Sequence, residues 1–125
     1  MSKIIQWAKA IKEEEGWFAP RKEYPRGSVS WRNNNPGNLR YSKFQVRIKN
    51  GYSVFDTYID GWKALIFQLT IALNGKSKVY KPHMSLLEFF QKYAPGEDNN
   101  RPRKYAQNVA SKLGVNINTP IKELG

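Results

Sequence analysis

The side chain whose position best suits it to chemistry is the carboxylate of Glu15. The apolar residues Ile4, Trp7, Ala8 and Ile11 recur at intervals of three and four, the period of one buried helical face. Continuing the count puts Glu15 on that stripe, with Glu13 on the opposite face, Glu14 on a flank and Gly16 next to end the helix. A carboxyl group held against apolar neighbours has its charged form disfavoured, so it can still carry a proton near neutral pH, as a general acid must. The plainer alternative is that Glu15 reaches into solvent from a frayed helix end, and spacing alone leaves both open.

The second stretch with chemical content is Trp31-Arg32-Asn33-Asn34-Asn35-Pro36-Gly37-Asn38-Leu39-Arg40-Tyr41. Asparagine and glycine tolerate left-handed backbone and proline fixes a turn, so a tight turn would account for part of it. Four asparagines exceed what one turn needs. Carboxamides both donate and accept, as sugar hydroxyls and N-acetyl groups require, and Trp17, Trp31 and Tyr41 offer flat apolar faces to a pyranose ring. Arg32 and Arg40 flank the loop and can meet carboxylates. Asp56 and Asp60 are the remaining candidates for a second carboxylate, Asp60 more simply as a helix cap and Asp56 equally as the partner of an arginine. Gln68 lies within a later helix, either in a cleft or exposed.

These residues need elements to hold them. A helix is expected from Ser2 to Gly16, then an ordered but irregular connection from Trp17 to Tyr41, of the kind that lines a site when it occurs in a small domain. Gln45 to Thr57 reads as a β-hairpin, with Val46 and Ile48 alternating with polar residues and Asn50-Gly51 suiting a type I′ turn. Asp60 is expected to cap a helix from Gly61 to Leu73. Ser85-Leu86-Leu87-Glu88 matches a capping box for a helix ending before Pro95. Asn100 or Arg101 with Pro102 opens a helix running through Tyr105 and Val109 to Leu113-Gly114, and Thr119-Pro120 opens a final turn. The expected class is α+β, mostly α, with one small hairpin and about five helices in a single domain over residues 1–125.

Composition narrows the function. The 125 residues carry no cysteine, which removes disulfides and thiol chemistry, and the one histidine, His83, has no second imidazole with which to share a metal. His83 reads as a loop or helix-entry residue, and no cofactor or metal is expected. No apolar run reaches the roughly 18 residues of a membrane span, and charges interrupt the N-terminal stretch where a signal peptide would need an apolar block. Stable membrane insertion and self-directed export are therefore not expected. Twenty-one Lys and Arg against ten Asp and Glu give a formal charge of +11, a field that gathers polyanions such as nucleic acid, anionic lipid or envelope polymers.

The order of helix ending Glu-Gly, serine-bearing loop, small hairpin and helical remainder resembles the lysozyme superfamily. Within it, Ile11 to Gly16, Ser28 to Tyr41 (SVSWRNNNPGNLRY), Phe55 to Leu65 with Gly61 and Ala64-Leu65, and Tyr93-Ala94-Pro95 with Asp98-Asn99-Asn100 and Tyr105 look like lysozyme-like domains of phage structural and lytic proteins. RNNNPGNLR is the most specific element. The resemblance implies a lysozyme-like fold and cleavage of the β-1,4 bond between N-acetylmuramic acid and N-acetylglucosamine in peptidoglycan. It puts Glu15 at the catalytic acid and Ser30 where phage lysozymes of the Glu-Asp-Thr type keep a hydroxyl that orients water. The Asp of that trio has no counterpart, the nearest acidic residue being Glu23. Hydrolases of this kind usually use a second carboxylate. A one-glutamate site is closer to lytic transglycosylases, in which the muramic acid 6-hydroxyl attacks, and Tyr105 with Val109 echoes the Tyr-x-x-x-Val helix of those enzymes.

The leading expectation is thus a phage-type muramidase, hydrolase or lytic transglycosylase, with Glu15 and Ser30 catalytic and Arg32, Asn34, Asn35, Asn38, Tyr41, Asp56, Gln68 and Tyr105 toward substrate. Its expected partners are peptidoglycan and anionic envelope polymers. It is expected as a monomer or on a virion, held in the host cytoplasm before release and acting in the periplasm or cell wall. The alternatives are a catalytically inactive phage structural or wall-binding module and, last, a nucleic-acid-binding domain, for which no recognition motif is present and no nucleic-acid partner is expected.

Overall fold

The first helix forms where the apolar stripe calls for it. In the computed structural model, which describes residues 2–95 and 100–125, α1 spans Ile4–Glu14, and the Ser2 hydroxyl accepts from the Ile4 amide at 3.3 Å. Trp7, Ala8 and Ile11 are buried, while Gln6, Lys9 and Glu13 face solvent. Gly16, at φ +71°, ends the turn, because a residue without a β-carbon enters left-handed backbone at little cost.

Four further helices follow, α2 (Val29–Arg32), α3 (Tyr58–Leu73), α4 (Leu86–Tyr93) and α5 (Asn100–Leu113), with a closing 3₁₀ turn at Ile121–Leu124 and one hairpin of β1 (Arg47–Lys49) and β2 (Tyr52–Val54). The fold class is α+β and mostly α. The chain gathers into two compact units, Ile11–Phe67 and the pair of segments Met1–Ala10 with Gln68–Gly125.

In the two-segment unit, α4 begins with the expected capping box, in which the Ser85 hydroxyl accepts from the Glu88 amide and the Glu88 carboxylate accepts from the Ser85 amide. Two reciprocal bonds satisfy donors that a helix start otherwise leaves open. Phe89 lies at its centre, fully buried, with ring centroids 4.9 Å from Trp7, 4.4 Å from Tyr80 and 4.9 Å from Phe90. Phe90 in turn stacks on Tyr105 of α5 at 4.3 Å. The Lys3 amide donates to the Leu124 carbonyl at 2.8 Å, tying the first residues to the last turn. His83 is an exposed turn residue ahead of α4. Asp98 and Asn99, cited in the resemblance, lie outside the described residues.

In the unit of residues 11–67, the hairpin has the expected turn: Asn50 and Gly51 take φ of +51° and +82°, and Lys49 faces Tyr52 across the ladder, the geometry of a two-residue type I′ connection. Its burial differs from the alternation expected. All of β1, Ile48 included, is exposed, and only Ser53 and Val54 of β2 turn inward. Helix α3 starts at Tyr58, ahead of the expected Gly61. Thr57 supplies the cap, its hydroxyl accepting from the Asp60 amide at 3.1 Å, which leaves Asp60 inside the first turn, where an acidic side chain suits the helix dipole. The connection after Gly16 also contains α2, a single turn capped by the Ser28 hydroxyl accepting from the Trp31 amide.

Candidate active site

Glu15 follows directly on α1, its amide still donating to the Ile11 carbonyl at 2.9 Å, and its side chain is half-buried while Glu13 is exposed. The carboxylate is met from the asparagine loop by Asn38, whose Nδ2 donates to Glu15 Oε1 at 3.3 Å. Residues far apart in sequence, the end of a helix and the last asparagine of the loop, are thereby joined. Asn38 is held at φ +50°, a conformation costing a residue with a β-carbon about 1 kcal/mol. Its Oδ1 is buried without a hydrogen-bond partner among the described residues, and such an acceptor costs roughly 1–3 kcal/mol. Both costs fall on a loop side chain that touches Glu15, and strain of this sort is found at functional sites, although Asn34 carries a similar φ of +54°.

The other asparagines of the loop face inward. Asn35 is fully buried; its Nδ2 donates to the carbonyls of Leu39 at 2.9 Å and Ser53 at 3.0 Å, and its Oδ1 accepts from the Leu39 amide at 2.9 Å. Asn34, at φ +54°, donates through Nδ2 to the carbonyls of Phe55 at 3.0 Å and Asp56 at 3.3 Å. The Asn33 carbonyl accepts from the Phe55 amide. These bonds lace the loop to the strand leaving the hairpin, because backbone groups with no ladder partner must be satisfied some other way. Asn34 and Asn35, expected toward substrate, spend these carboxamide groups on backbone carbonyls and an amide.

Ser30, expected to be catalytic, is also turned inward. It is 1% exposed, and its hydroxyl pairs with that of Ser28 at 3.1 Å, so it closes a local serine pair instead of facing solvent. The Arg32 guanidinium donates to the Gly27 carbonyl at 2.7 Å. Tyr41 is 70% exposed, and Asp56 is exposed just beyond the Asn34 contact. Tyr105 is a buried ring of the two-segment unit, packed on Phe90, which makes it a core residue of that unit. Gln68, half-buried on α3, also belongs there.

One cluster at the end of α1 was not expected from the sequence. Lys12, one turn before Glu15, donates through Nζ to the Tyr58 hydroxyl at 3.0 Å and lies 5.0 Å and 4.8 Å from the ring centres of Trp17 and Tyr58. Those rings meet edge to face at 5.0 Å, and Trp62 stacks on Tyr58 at 6.3 Å. The cluster fixes an ammonium group beside the helix end by cation–π attraction.

The described residues contain no group of three His, Cys, Asp or Glu arranged to hold a metal ion. No protein-family model, no curated protein and no solved structure matches this chain.

Proposed function

We propose that the protein is a muramidase-type glycosidase that cleaves the β-1,4 bond between N-acetylmuramic acid and N-acetylglucosamine in peptidoglycan, with Glu15 as general acid. The observation that carries this reading is the half-buried Glu15 carboxylate held by the strained Asn38. The resemblance of RNNNPGNLR to lysozyme-like phage domains supplies the substrate class. Protonated Glu15 delivers its proton to the glycosidic oxygen as the bond to the muramic acid anomeric carbon breaks. In the transglycosylase form, the 6-hydroxyl oxygen of the same sugar bonds to that carbon and gives its proton to the Glu15 carboxylate, closing a 1,6-anhydro ring and resetting the acid. In the hydrolytic form a water takes the place of the 6-hydroxyl, and exposed Asp56 is the candidate second carboxylate.

The test is loss of turbidity of a peptidoglycan suspension with wild type and with Glu15→Gln. Lysis by the first alone supports the assignment; equal lysis by both removes Glu15 from the mechanism. Mass spectrometry of the fragments separates the two forms, since anhydro and reducing ends differ by one water. The charge of +11 fits an anionic wall and implies binding that weakens with added salt. No helix among the described residues is long and apolar enough to cross a membrane, and we place delivery to the wall with a phage particle or with release from the host cytoplasm.

A second reading, a wall-binding module without catalysis, is favoured by the inward commitment of Ser30, Asn34 and Asn35. Retention on sacculi with no soluble product from wild type would select it.

A further inference from the structure

A concavity in the unit of residues 11–67, separate from Glu15 and Asn38, is lined by Arg26, Val29, Arg32, Asn33, Lys49, Asn50 and Tyr52 and has a volume of about 320 Å³. Three cations reach it from three parts of the chain: Arg26 from the loop before α2, Arg32 from α2 and Lys49 from the hairpin. Among the described residues, no carboxylate lines it. The Arg40 guanidinium, which does not line the hollow, lies 5.0 Å from the ring centre of Tyr52. Arg32 is not free to swing away, because one of its nitrogens is held by the Gly27 carbonyl at 2.7 Å, which leaves its remaining N–H groups for something else.

Like charges around one hollow repel, and field lines focused there raise the local concentration of a counter-anion. We propose that this pocket binds a phosphate group carried on a small hydroxylated carbon skeleton, a polyol or sugar phosphate. Phosphate is favoured over a carboxylate because its oxygens can be met from several sides at once and because a monoester approaches two negative charges at neutral pH. The volume lies near the lower end of small-ligand sites, roughly 300–1,000 Å³, which leaves room beyond one ion. The carboxamides of Asn33 and Asn50 suit hydroxyl groups there. The proposal does not rest on Glu15.

The test follows the backbone amide signals of Asn33, Asn50 and Tyr52 by NMR during titration with glycerol 3-phosphate, inorganic phosphate and acetate. Saturable shifts with both phosphates and none with acetate are expected. Tighter binding of glycerol 3-phosphate than of inorganic phosphate supports the proposal, and equal binding, which leaves the carbon skeleton without a role, would overturn it. The Arg26→Gln/Lys49→Gln double variant is expected to weaken binding about tenfold or more. Lys43→Gln/Lys63→Gln, which removes the same charge from exposed positions of the same unit, should change it less than about twofold. Absence of saturation, acetate binding as tightly as phosphate, or equal loss in both double variants would overturn the proposal. Glu15→Gln should keep full phosphate binding, so the pocket and the glycosidase reading fail or stand separately.

Discussion

The Asn34 carbonyl lies directly against the α-carbon of Gly61, so close that a β-carbon at that position would overlap the carbonyl oxygen and crowd Pro36 Cδ at 3.1 Å. The first turn of α3 is thereby pressed onto the asparagine loop, and only glycine fits the contact. Gly61→Ala should destabilise the protein by about 3 kcal/mol, read as a lower midpoint in denaturant unfolding. Gly114→Ala, at a position with open space around it, should cost only the strain of its positive φ, about 1 kcal/mol.

Removing the carboxamide that meets Glu15 should affect rate more than stability. Asn38→Gly keeps a residue at ease with φ +50° while deleting the donor to Oε1. The expected result is a fall in kcat of on the order of 10- to 100-fold with little change in KM, measured on soluble peptidoglycan fragments. A variant with wild-type kcat and normal stability would deny Asn38 a positioning role.

Asn35 should behave in the opposite way. The three hydrogen bonds of its side chain are buried; Asn35→Ala leaves the Leu39 amide without its acceptor and takes a donor from the Ser53 and Leu39 carbonyls, the latter still met by the Ser53 amide at 2.8 Å, and should cost about 3 kcal/mol. Thermal unfolding would read this as a large fall in Tm, with any activity loss following the unfolded fraction.

Alkaline pH should act through Tyr80. Burial pushes its hydroxyl from 10.0 up to about 12, so folding favours the neutral phenol. The associated stability is intact below about pH 10 and is lost as the pH rises toward 12, an effect on the order of 2 kcal/mol. Tyr80→Phe cannot ionise, and the stability difference between wild type and this variant should move against wild type across that interval. A difference that stays flat from pH 9 to 12 would contradict the assignment.

What could be read from sequence was whatever is decided locally. The Asn50-Gly51 turn, the Ser85–Glu88 capping box and the Leu113-Gly114 stop each depend on neighbours within a few residues, and the structure places all three as expected. The start of α3 was misjudged because Thr57 and Asp60 both have capping side chains, and only the bond to the Asp60 amide shows which one caps. Helix α2 is one turn long, too short for periodicity to register. The asparagine loop marks a harder limit. Asn35 and Asn38 are the same residue type three positions apart, yet one is sealed inside and the other meets Glu15. Which way a carboxamide turns depends on strands and helices distant in sequence, and composition carries no record of it.

The interleaving of the two units sets an order on their birth. Residues 11–67 leave the ribosome with every hydrogen-bond partner of Asn35 already made, so that network can close while synthesis continues. Trp7, translated earlier still, has to wait for Phe89 before its indole is covered. During that interval the nascent chain carries an uncovered aromatic ring, a surface open to chaperones until Phe89 follows.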